Sequence, residues 1–268
     1  MRDSRTDARA ALARAHGTSP DRVAIGRSID DAVRALAELV SGTADAPDAP
    51  RATDLAAALD GPAARGRILL VASPSVPEGR ALTRDELVLL TEATPTGGLT
   101  VIDESLSAYA SSPRAAFAAP LLGPPLEDPR IAVVRSLPDS AACVFAAPDV
   151  ALRIRLEDPT DAQLETVVRG FSPEGLDDAL DRADWIRAER QRIERTLRDR
   201  MEKAAAEGRP SIEIVHSDGD AVWLPVGDRA DDLAARAGGT VYPGRGVRYR
   251  VGNDNDAFID AVSEWATA

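Results

Sequence analysis

Short apolar runs, rich in β-branched residues and each closed by polar or turn residues, constrain the fold of this chain most. Three of them lie close together, at Val101–Ile102, Ile131–Val134 and Cys143–Phe145. Runs of this length and composition are typical of strands that are buried on both faces of a parallel sheet. Because such sheets bind ligands at the carboxyl ends of their strands, the residues that follow these runs are the first candidates for a site.

Helical patterns separate the apolar runs, and two of these patterns begin with a capping signal. Ser28 is followed by Asp31, and Thr83 is followed by Glu86, each at the spacing of a capping box that opens an apolar helical stripe. The alternation of strands and helices predicts an α/β fold with a mostly parallel sheet. Further strands are predicted at residues 22–25 and 68–73, and short or longer helices at 4–16, 55–59 and 161–171.

A long helix and a change of pattern mark the C-terminal third. Residues 173–207 keep an apolar stripe at helical spacing, and Gly208 and Pro210 end it. We therefore predict a large α/β domain at 1–172, a connecting helix at 173–208 and a small C-terminal α/β domain at 209–268. The strands of the small domain are predicted in SIEIVH (211–216), AVWLPV (221–226), VYP (241–243) and VRYRV (247–251), and its helices at 229–237 and 254–266.

The chain is strongly acidic, with 44 Asp and Glu against 32 Lys and Arg among 268 residues and a formal net charge of −12. This balance leaves no broad basic face, so we expect no nucleic acid as a partner. The acidity fits ordinary solubility and adaptation to a high-salt cytoplasm equally well. Because no apolar run reaches membrane-spanning length and no N-terminal signal segment is visible, we expect a cytoplasmic protein without membrane contact.

Few residues suit metal or thiol chemistry. Cys143 is the only cysteine and lies inside an apolar run, so we interpret it as a core residue. His16 and His216 are the only histidines, and neither has a companion at metal-ligand spacing. We expect both at the surface or at strand ends, and we predict no metal site.

Several segments together resemble the fold-type I pyridoxal-phosphate enzymes, close to histidinol-phosphate aminotransferase and threonine-phosphate decarboxylase. The segments are DRVAIGRSIDDAV, ASPSVPEG, VIDESLSAYA, IAVVRSL, DALDRADWIRAERQRI and VRYRVGNDNDAFIDAV, which cover most of the chain. The resemblance implies a fold-type I aminotransferase-like architecture, with the cofactor phosphate at the helix N-terminus near Gly26 and Ser28. It also implies that Asp103 pairs with the pyridine nitrogen of the cofactor and that Arg248 binds the substrate carboxylate.

The same resemblance implies that the Schiff-base lysine of the family is missing. IAVVRSL matches the strand that leads to this lysine, but Pro138 and Asp139 follow Leu137 where the family has Ser or Thr and then Lys. A lysine is chemically required there, because its amine joins the aldehyde of the cofactor. The sequence contains one lysine, Lys203, near the end of the long helix, where we expect it to act only as a helix-end charge. We therefore expect no cofactor, and pyridoxal phosphate only if the chain is an active aminotransferase.

Other positions depart from the family pattern as well. Val76 and Leu106 stand where the family has a cofactor-binding asparagine and tyrosine, and the glycine-rich loop after the lysine position is deleted. By this comparison the N-terminal arm and the segment that supplies the ring-stacking aromatic, between Gly42 and Arg67, are also missing. These departures make the chain look like a truncated and degenerate homologue.

A few side chains remain as ligand-binding candidates, each with a structural alternative. Asp103 is either a ligand contact or the cap of a strand end, and Glu104 beside it points to the opposite face. Arg248 and Arg250 share one strand face, which suits either a carboxylate or phosphate ligand or pairing with acidic residues of the protein. The candidates are Asp103, Arg248, Arg135, Gly26 and Ser28, with Asp139 at the lysine position.

These observations leave three hypotheses for the function, which must be argued from the site. The first is a non-catalytic ligand-binding or partner subunit in amino-acid or cobamide metabolism. The second is a pyridoxal-phosphate-dependent aminotransferase or amino-acid-phosphate decarboxylase, and the third is a cofactor-independent enzyme that reuses Asp103, Asp139 and Arg248. We expect the first, with a small anionic or amino-acid ligand, as a homodimer or as a heterodimer with an intact homologue.

Overall fold

The structure, a computed structural model, describes residues 4–42, 51–52, 68–111 and 129–267. The chain divides into two compact units that interleave along the sequence. The three contiguous domains inferred from the sequence stay a prediction, and the predicted helix at 55–59 and the family segment between Gly42 and Arg67 lie outside the described residues. The first unit contains Met1–Ser73, Leu82–Ser105 and Ser112–Leu180, and the second contains Pro74–Ala81, Leu106–Ser111 and Asp181–Ala268.

A six-stranded sheet forms the centre of the first unit. Its strands are β1 (Val23–Gly26), β2 (Arg51–Ala52), β3 (Ile68–Ala72), β4 (Leu99–Asp103), β5 (Ile131–Ser136) and β6 (Ala142–Ala146). They lie in the order β1-β6-β5-β4-β3-β2, and β2 to β5 are parallel. The predicted mostly parallel sheet is therefore confirmed. β6 is antiparallel to both neighbours, because the connection from β5 through residues 137–141 is too short for a parallel crossover.

Helices cover both faces of this sheet. Alternate residues of β5 point to opposite sides, so Ile131 and Val133 enter one core and Ala132 and Val134 enter the other. The helices are α1 (Ser4–Ala15), α2 (Ile29–Ser41), α3 (Arg84–Ala93), α4 (Pro148–Arg153) and α5 (Asp161–Gly170). Residues of α1, α3 and α5 contribute to the first core, and residues of α2 and α4 contribute to the second.

The capping predictions are confirmed at both helices for which the sequence makes them. Ser28 Oγ accepts a hydrogen bond from the Asp31 N–H of α2 at 3.1 Å. At α3, Thr83 and Glu86 exchange hydrogen bonds in a complete capping box. Local sequence thus determines where these two helices begin.

The second unit packs the end of a long helix, α6 (Pro173–Ala206), against a three-stranded antiparallel sheet. The sheet has the order β7-β9-β8, from β7 (Ala221–Leu224), β8 (Thr240–Tyr242) and β9 (Gly246–Arg250). The helices α7 (Ala230–Ala237) and α8 (Asn255–Ala266) complete the unit.

The predicted strand at SIEIVH is wrong, since residues 209–218 have no regular secondary structure. Ile212 and Ile214 pack onto the core of the second unit, which explains their alternation in the sequence. A strand also needs a neighbouring strand to pair with, and alternation alone does not supply one.

The described part of the chain contains no helix that combines the length and hydropathy needed to cross a membrane. Within the same residues, no group of three or more His, Cys, Asp or Glu side chains is placed to hold a metal ion. Cys143 is fully buried in the first core, and this burial raises the pKa of its thiol to about 12. Cys143 is therefore an inert core residue, as predicted.

Candidate functional site

One edge of the first-unit sheet collects the carboxyl ends of several strands. β1 runs parallel to β5, because both are antiparallel to β6. Gly26 and Ser136 therefore lie on either side of Ala142, and Asp103 pairs with Val134 on the same edge. We call the carboxyl ends of β1, β3, β4 and β5 the strand-end edge. It is the place where a sheet of this kind binds its ligand.

Asp103 is held at the strand-end edge by its own turn. Its Oδ1 accepts hydrogen bonds from the Ser105 N–H at 3.0 Å and from the Ser105 hydroxyl at 2.6 Å. Ser105 Oγ in turn accepts from the Ser136 N–H at 2.9 Å, which ties the end of β4 to the end of β5. Among the described residues, none donates a hydrogen bond to the second carboxylate oxygen. Asp103 is thus both a strand-end cap and a half-buried acceptor with one oxygen available.

The position of the family lysine lies in a tight hairpin between β5 and β6. The Leu137 N–H donates to the Ala141 carbonyl at 2.7 Å and closes the loop. Asp139 and Ser140 have φ of 56° and 64°, in the left-handed region that residues other than glycine rarely adopt. The side chains of both are exposed. Asp139, which the family resemblance places at the lysine position, therefore lies at the tip of a strained hairpin, and the loop deletion stays a prediction.

Gln163 positions this hairpin, and our sequence analysis did not single it out. Its side-chain amide donates to the Asp139 carbonyl at 2.9 Å and to the Arg27 carbonyl at 3.2 Å. Its Oε1 accepts from the Thr160 N–H at 2.9 Å, which makes it the last residue of the capping box of α5. The pattern Thr160-x-x-Gln163 is visible in the sequence as a capping box. The sequence does not reveal the second role of Gln163, which is to join the β1–α2 loop to the β5–β6 hairpin.

The N-terminus of α2 is already occupied by groups of the protein. The Ser28 hydroxyl caps Asp31, and the buried Asp31 carboxylate accepts the Glu157 N–H at 3.1 Å. A Cβ on Gly26 would lie 2.7 Å from Asp31 Oδ2, so glycine is required for this close packing. Asp30 and Asp31 place two carboxylates in the first turn, which oppose the attraction of the helix dipole for an anion. Gly26 and Ser28 therefore have an evident structural role at the predicted phosphate site.

Arg135 points into the protein, where it binds an acid. Its guanidinium forms a buried ion pair with Glu104, with Nε 3.0 Å from Oε2 and Nη2 also bound to that oxygen. The pair is almost fully shielded, with 8% of the Arg135 side chain and none of the Glu104 side chain exposed. The structure thus gives Arg135 the structural role that we weighed against ligand binding, since breaking such a pair leaves an uncompensated buried charge.

His16 completes this buried cluster, so the expectation of a surface histidine is wrong. Nη1 of Arg135 donates to His16 Nδ1 at 3.0 Å, and the imidazole packs edge-on against Phe145 at 4.9 Å and Phe171 at 5.7 Å. Burial, assisted by the charge of Arg135, lowers the pKa of His16 to about 3. His16 is therefore neutral at physiological pH and accepts a hydrogen bond from the guanidinium.

Arg248 and Arg250, in the second unit, both face one buried acid. Arg248 binds Asp220 directly, and Arg250 Nε lies 3.0 Å from Asp220 Oδ2. Only 5% of the Asp220 side chain is exposed. Of the two alternatives weighed for this strand face, pairing with an acidic residue of the protein is the one observed. The substrate role of Arg248 stays a prediction.

A family profile described as aminotransferase class I and II matches residues 45–140. The aromatic amino acid aminotransferase of Thermobifida fusca is 32% identical over 205 residues, which are 73% of this chain and 55% of that protein. The enzyme of the same name from Mycobacterium avium is 29% identical over 231 residues, which are 79% of this chain and 61% of that protein. The chain thus spans just over half the length of these curated relatives.

Solved structures show the same fold. Histidinol-phosphate aminotransferase from Sinorhizobium meliloti, solved in complex with pyridoxal-5'-phosphate, superposes with a TM-score of 0.72 at 21% identity, over 97% of this chain and 81% of that one. A decarboxylase from Sulfurospirillum multivorans superposes with a TM-score of 0.71 at 12% identity, over 98% and 86% of the two chains. The fold-type I architecture predicted from the sequence is confirmed.

These comparisons correct one of our expectations and weaken another. The expectation of no cofactor is wrong, because aminotransferases at this level of identity imply the use of pyridoxal phosphate. The comparisons support an aminotransferase-like protein and do not support a degenerate, non-catalytic one. In sequence and in fold, the chain is thus similar to the fold-type I pyridoxal-phosphate aminotransferases.

Proposed function

We propose that this chain serves pyridoxal-phosphate-dependent amino-group transfer with an aromatic amino acid as substrate. The observation that carries the proposal is the 32% identity to the Thermobifida fusca aromatic amino acid aminotransferase across 73% of the chain. Pyridoxal phosphate, when bound, supplies the electron sink that such a reaction needs at the substrate α-carbon. The protein supplies binding, orientation and electrostatics, and these can be assessed residue by residue.

The ring-nitrogen side of the cofactor fits the strand-end edge. Asp103 is a half-buried carboxylate with Oδ1 fixed by Ser105 and Oδ2 available to accept an N–H. A carboxylate held in this way favours a protonated ring nitrogen, since a charge-assisted hydrogen bond is stronger than a neutral one. Asp103 is therefore the residue that we assign to the pyridine nitrogen.

The residues expected beside the aldehyde of the cofactor fit it less well. Asp139 stands at the lysine position, and a carboxylate cannot replace an amine there. Lys203, the one lysine of the sequence, is exposed in α6 among residues of the second unit. Within the described strand-end edge, no amine is placed to join the cofactor.

This mismatch supports a second candidate function. A chain that binds pyridoxal phosphate through Asp103 without a lysine bond would serve as a cofactor-binding or partner subunit of an aminotransferase. The observation that favours it is Asp139, at the tip of a closed hairpin that leaves little room for the family loop. Homodimer and heterodimer both suit this role, and both remain proposals.

Titration with pyridoxal phosphate, followed by absorbance, separates the two candidates. For an active aminotransferase we expect binding, a borohydride-stable label on a lysine in peptide maps, and turnover of an aromatic amino acid with a 2-oxo acid. Binding with no lysine label and no turnover would support the second candidate. No binding at all would contradict both.

Substitution of Asp103 tests the site itself. Asp103→Ala should weaken pyridoxal-phosphate binding by about tenfold to a hundredfold, the value of a hydrogen bond to a charged group. The matched control is Asp85→Ala, which removes an exposed carboxylate from the first turn of α3 in the same unit. Equal affinities of the two variants would contradict the assignment of Asp103.

A further inference from the structure

His216 lies among acidic partners, contrary to the isolated residue that the sequence predicts. Its Nδ1 is 2.9 Å from Glu194 Oε2, and its Nε2 is 3.4 Å from Asp218 Oδ1. Nε2 is also 3.1 Å from the hydroxyl of Ser111. All four residues belong to the second unit, and Glu194 and Ser111 are remote from His216 in the sequence.

The two carboxylates that flank His216 are fixed by the backbone. Glu194, on α6, is buried, and its Oε1 accepts the Ser217 N–H at 3.0 Å. Asp218 Oδ1 accepts the Ser111 N–H at 2.9 Å. Hydrogen bonds to Asp218 and Glu194 raise the pKa of His216 to about 9, and the hydrogen bond from His216 lowers the pKa of Asp218. His216 therefore carries a positive charge at neutral pH, although half of its side chain is exposed.

Arg190 of α6 is the other charged group of the cluster. Its guanidinium donates to the Tyr109 carbonyl at 2.7 Å, to the Ser111 hydroxyl at 2.9 Å and to the Gly219 carbonyl. Its Nε lies 3.7 Å from Glu194 Oε1. Arg187, one turn earlier on α6, donates to the Ala108 carbonyl at 3.4 Å. The segment Leu106–Ser111 is thus bound along its length by side chains of α6 and by the turn that carries His216.

The order Ser111–His216–Glu194 matches the order of a Ser-His-acid triad, but the hydrogen bonding does not. A catalytic serine must give its proton to a neutral imidazole. Here the imidazole is already protonated, and the Ser111 hydroxyl accepts a hydrogen bond from Arg190. The Ser111 N–H, a potential oxyanion donor, is bound to Asp218. These groups are arranged to hold a segment of chain.

We propose that charged His216 is a pH-sensitive anchor that fastens the segment Leu106–Ser111 to Glu194 of α6 and to Asp218, and that releases the segment when His216 loses its proton. With a neutral imidazole, one of its two nitrogens no longer donates. Glu194 and Asp218 then both lose the cation that lies within 3.4 Å of each carboxylate. The segment follows directly after Asp103–Ser105 in the chain, so the anchor fixes the backbone immediately beyond a candidate cofactor residue.

The direction of the pH dependence follows from the raised pKa. In the unfolded chain His216 titrates near 6.5, and in the anchored state it titrates at about 9. The stability that the anchor adds to the folded state is therefore fully present below about pH 6.5 and is lost as the pH rises through about 9. Asp218 acts in the opposite sense, since its lowered pKa adds stability that is lost only in strong acid.

Two measurements on the wild-type chain test the anchor. Histidine NMR should show one ring that titrates near pH 9, and the second ring, His16, should not titrate in this range. Hydrogen exchange of peptides that contain residues 106–111, corrected for the intrinsic rate, should show protection that falls at least tenfold between pH 7 and 10. A midpoint near 6.5, or protection that does not change with pH, would overturn the proposal.

Substitutions test whether His216 is the group that causes the pH-dependent protection of residues 106–111. His216→Asn should show low protection of residues 106–111 at every pH, whereas the control His16→Gln should keep the wild-type profile of this segment. If His216→Asn does not fold, Asp218→Asn serves instead and should lower the titration midpoint of His216 by about one unit or more. An unchanged midpoint would overturn the proposal, and so would covalent labelling of Ser111 by a fluorophosphonate, which requires a neutral His216 acting as base.

Discussion

The two histidines of the chain show how the same residue type acquires opposite properties from its surroundings. His16 lies against two aromatic rings and a guanidinium, so its proton is lost, whereas His216 lies between two carboxylates and keeps its proton. Desolvation and a like charge lower a histidine pKa, and hydrogen-bonded acids raise it. The charge of each histidine is thus decided by its neighbours in the folded chain, most of which are distant in sequence.

His16 should make the protein sensitive to acid. Its pKa of about 3 in the folded state lies below the ordinary 6.5. As the pH falls from 6.5 towards 3, the unfolded chain binds a proton that the folded chain does not. The free energy of unfolding should therefore decrease, by up to about 1.4 kcal/mol per pH unit from this group. Denaturant unfolding at a series of pH values, on wild type and His16→Gln, measures this contribution.

The matched control for this prediction is His216→Asn. Between about pH 5 and 6 His216 is mostly protonated and Asp218 mostly charged in both the folded and the unfolded state, so removal of His216 should change the slope little in this range. His16→Gln should reduce the slope of the free energy of unfolding against pH, even if it also lowers the stability at every pH. A His16→Gln slope equal to that of wild type would show that the imidazole is protonated in the folded state.

At the scale of elements, the β5–β6 hairpin and the β1–α2 loop depend on one side chain. Gln163 holds the Asp139 and Arg27 carbonyls with its amide nitrogen while its amide oxygen caps α5. Two non-glycine residues with positive φ in this hairpin store strain, which costs on the order of 1–3 kcal/mol each. The hairpin therefore relies on contacts outside itself to keep its conformation.

Gln163→Glu separates the two roles of this side chain. Glutamate still caps α5 but has no N–H to give to Asp139 and Arg27. We expect α5 to remain intact and hydrogen exchange of residues 137–141 to become several-fold faster. Gln163→Ala, which removes the cap as well, should also speed exchange in the first turn of α5. Unchanged exchange of the hairpin in Gln163→Glu would mean that the two carbonyl contacts do not hold it.

At the scale of the whole molecule, we expect the net charge of −12 to oppose association of two copies. Two copies that form a dimer each bring this charge, and their repulsion is screened over about 10 Å at 0.1 M salt and about 3 Å at 1 M. If the chain forms a homodimer, which is one of the two assemblies that we predict, salt should favour it. Light scattering should show a mass that rises from 28.3 kDa towards twice that value as salt is raised.

The opposite salt response would have a different physical origin. A dimer that dissociates in salt would indicate an interface held by ion pairs, and a monomer at every salt concentration would contradict the homodimer. Bovine serum albumin measured in the same buffers controls for the effect of salt on the scattering signal. A heterodimer is tested in the same way, with a full-length family member added to the chain.

The sequence by itself determined most of the described elements of this protein and its resemblance to the fold-type I aminotransferases. Strands, helices and the caps at Ser28 and Thr83 follow from periodicity and from side chains that act within one turn. The strand-end position of Asp103 also follows, because it needs only the end of one apolar run. Nothing in these patterns requires knowledge of another part of the chain.

Tertiary structure alone decided the partners of the polar side chains that act beyond their own turn. Arg135 binds Glu104, Gln163 binds Asp139 and Arg27, and His216 binds Glu194 and Ser111, across up to 136 residues of sequence. SIEIVH has the alternation of a strand but finds no neighbour to pair with. The physical reason is that local pattern fixes backbone conformation and burial, whereas hydrogen-bond partners and pKa values depend on which segments the packed chain brings together.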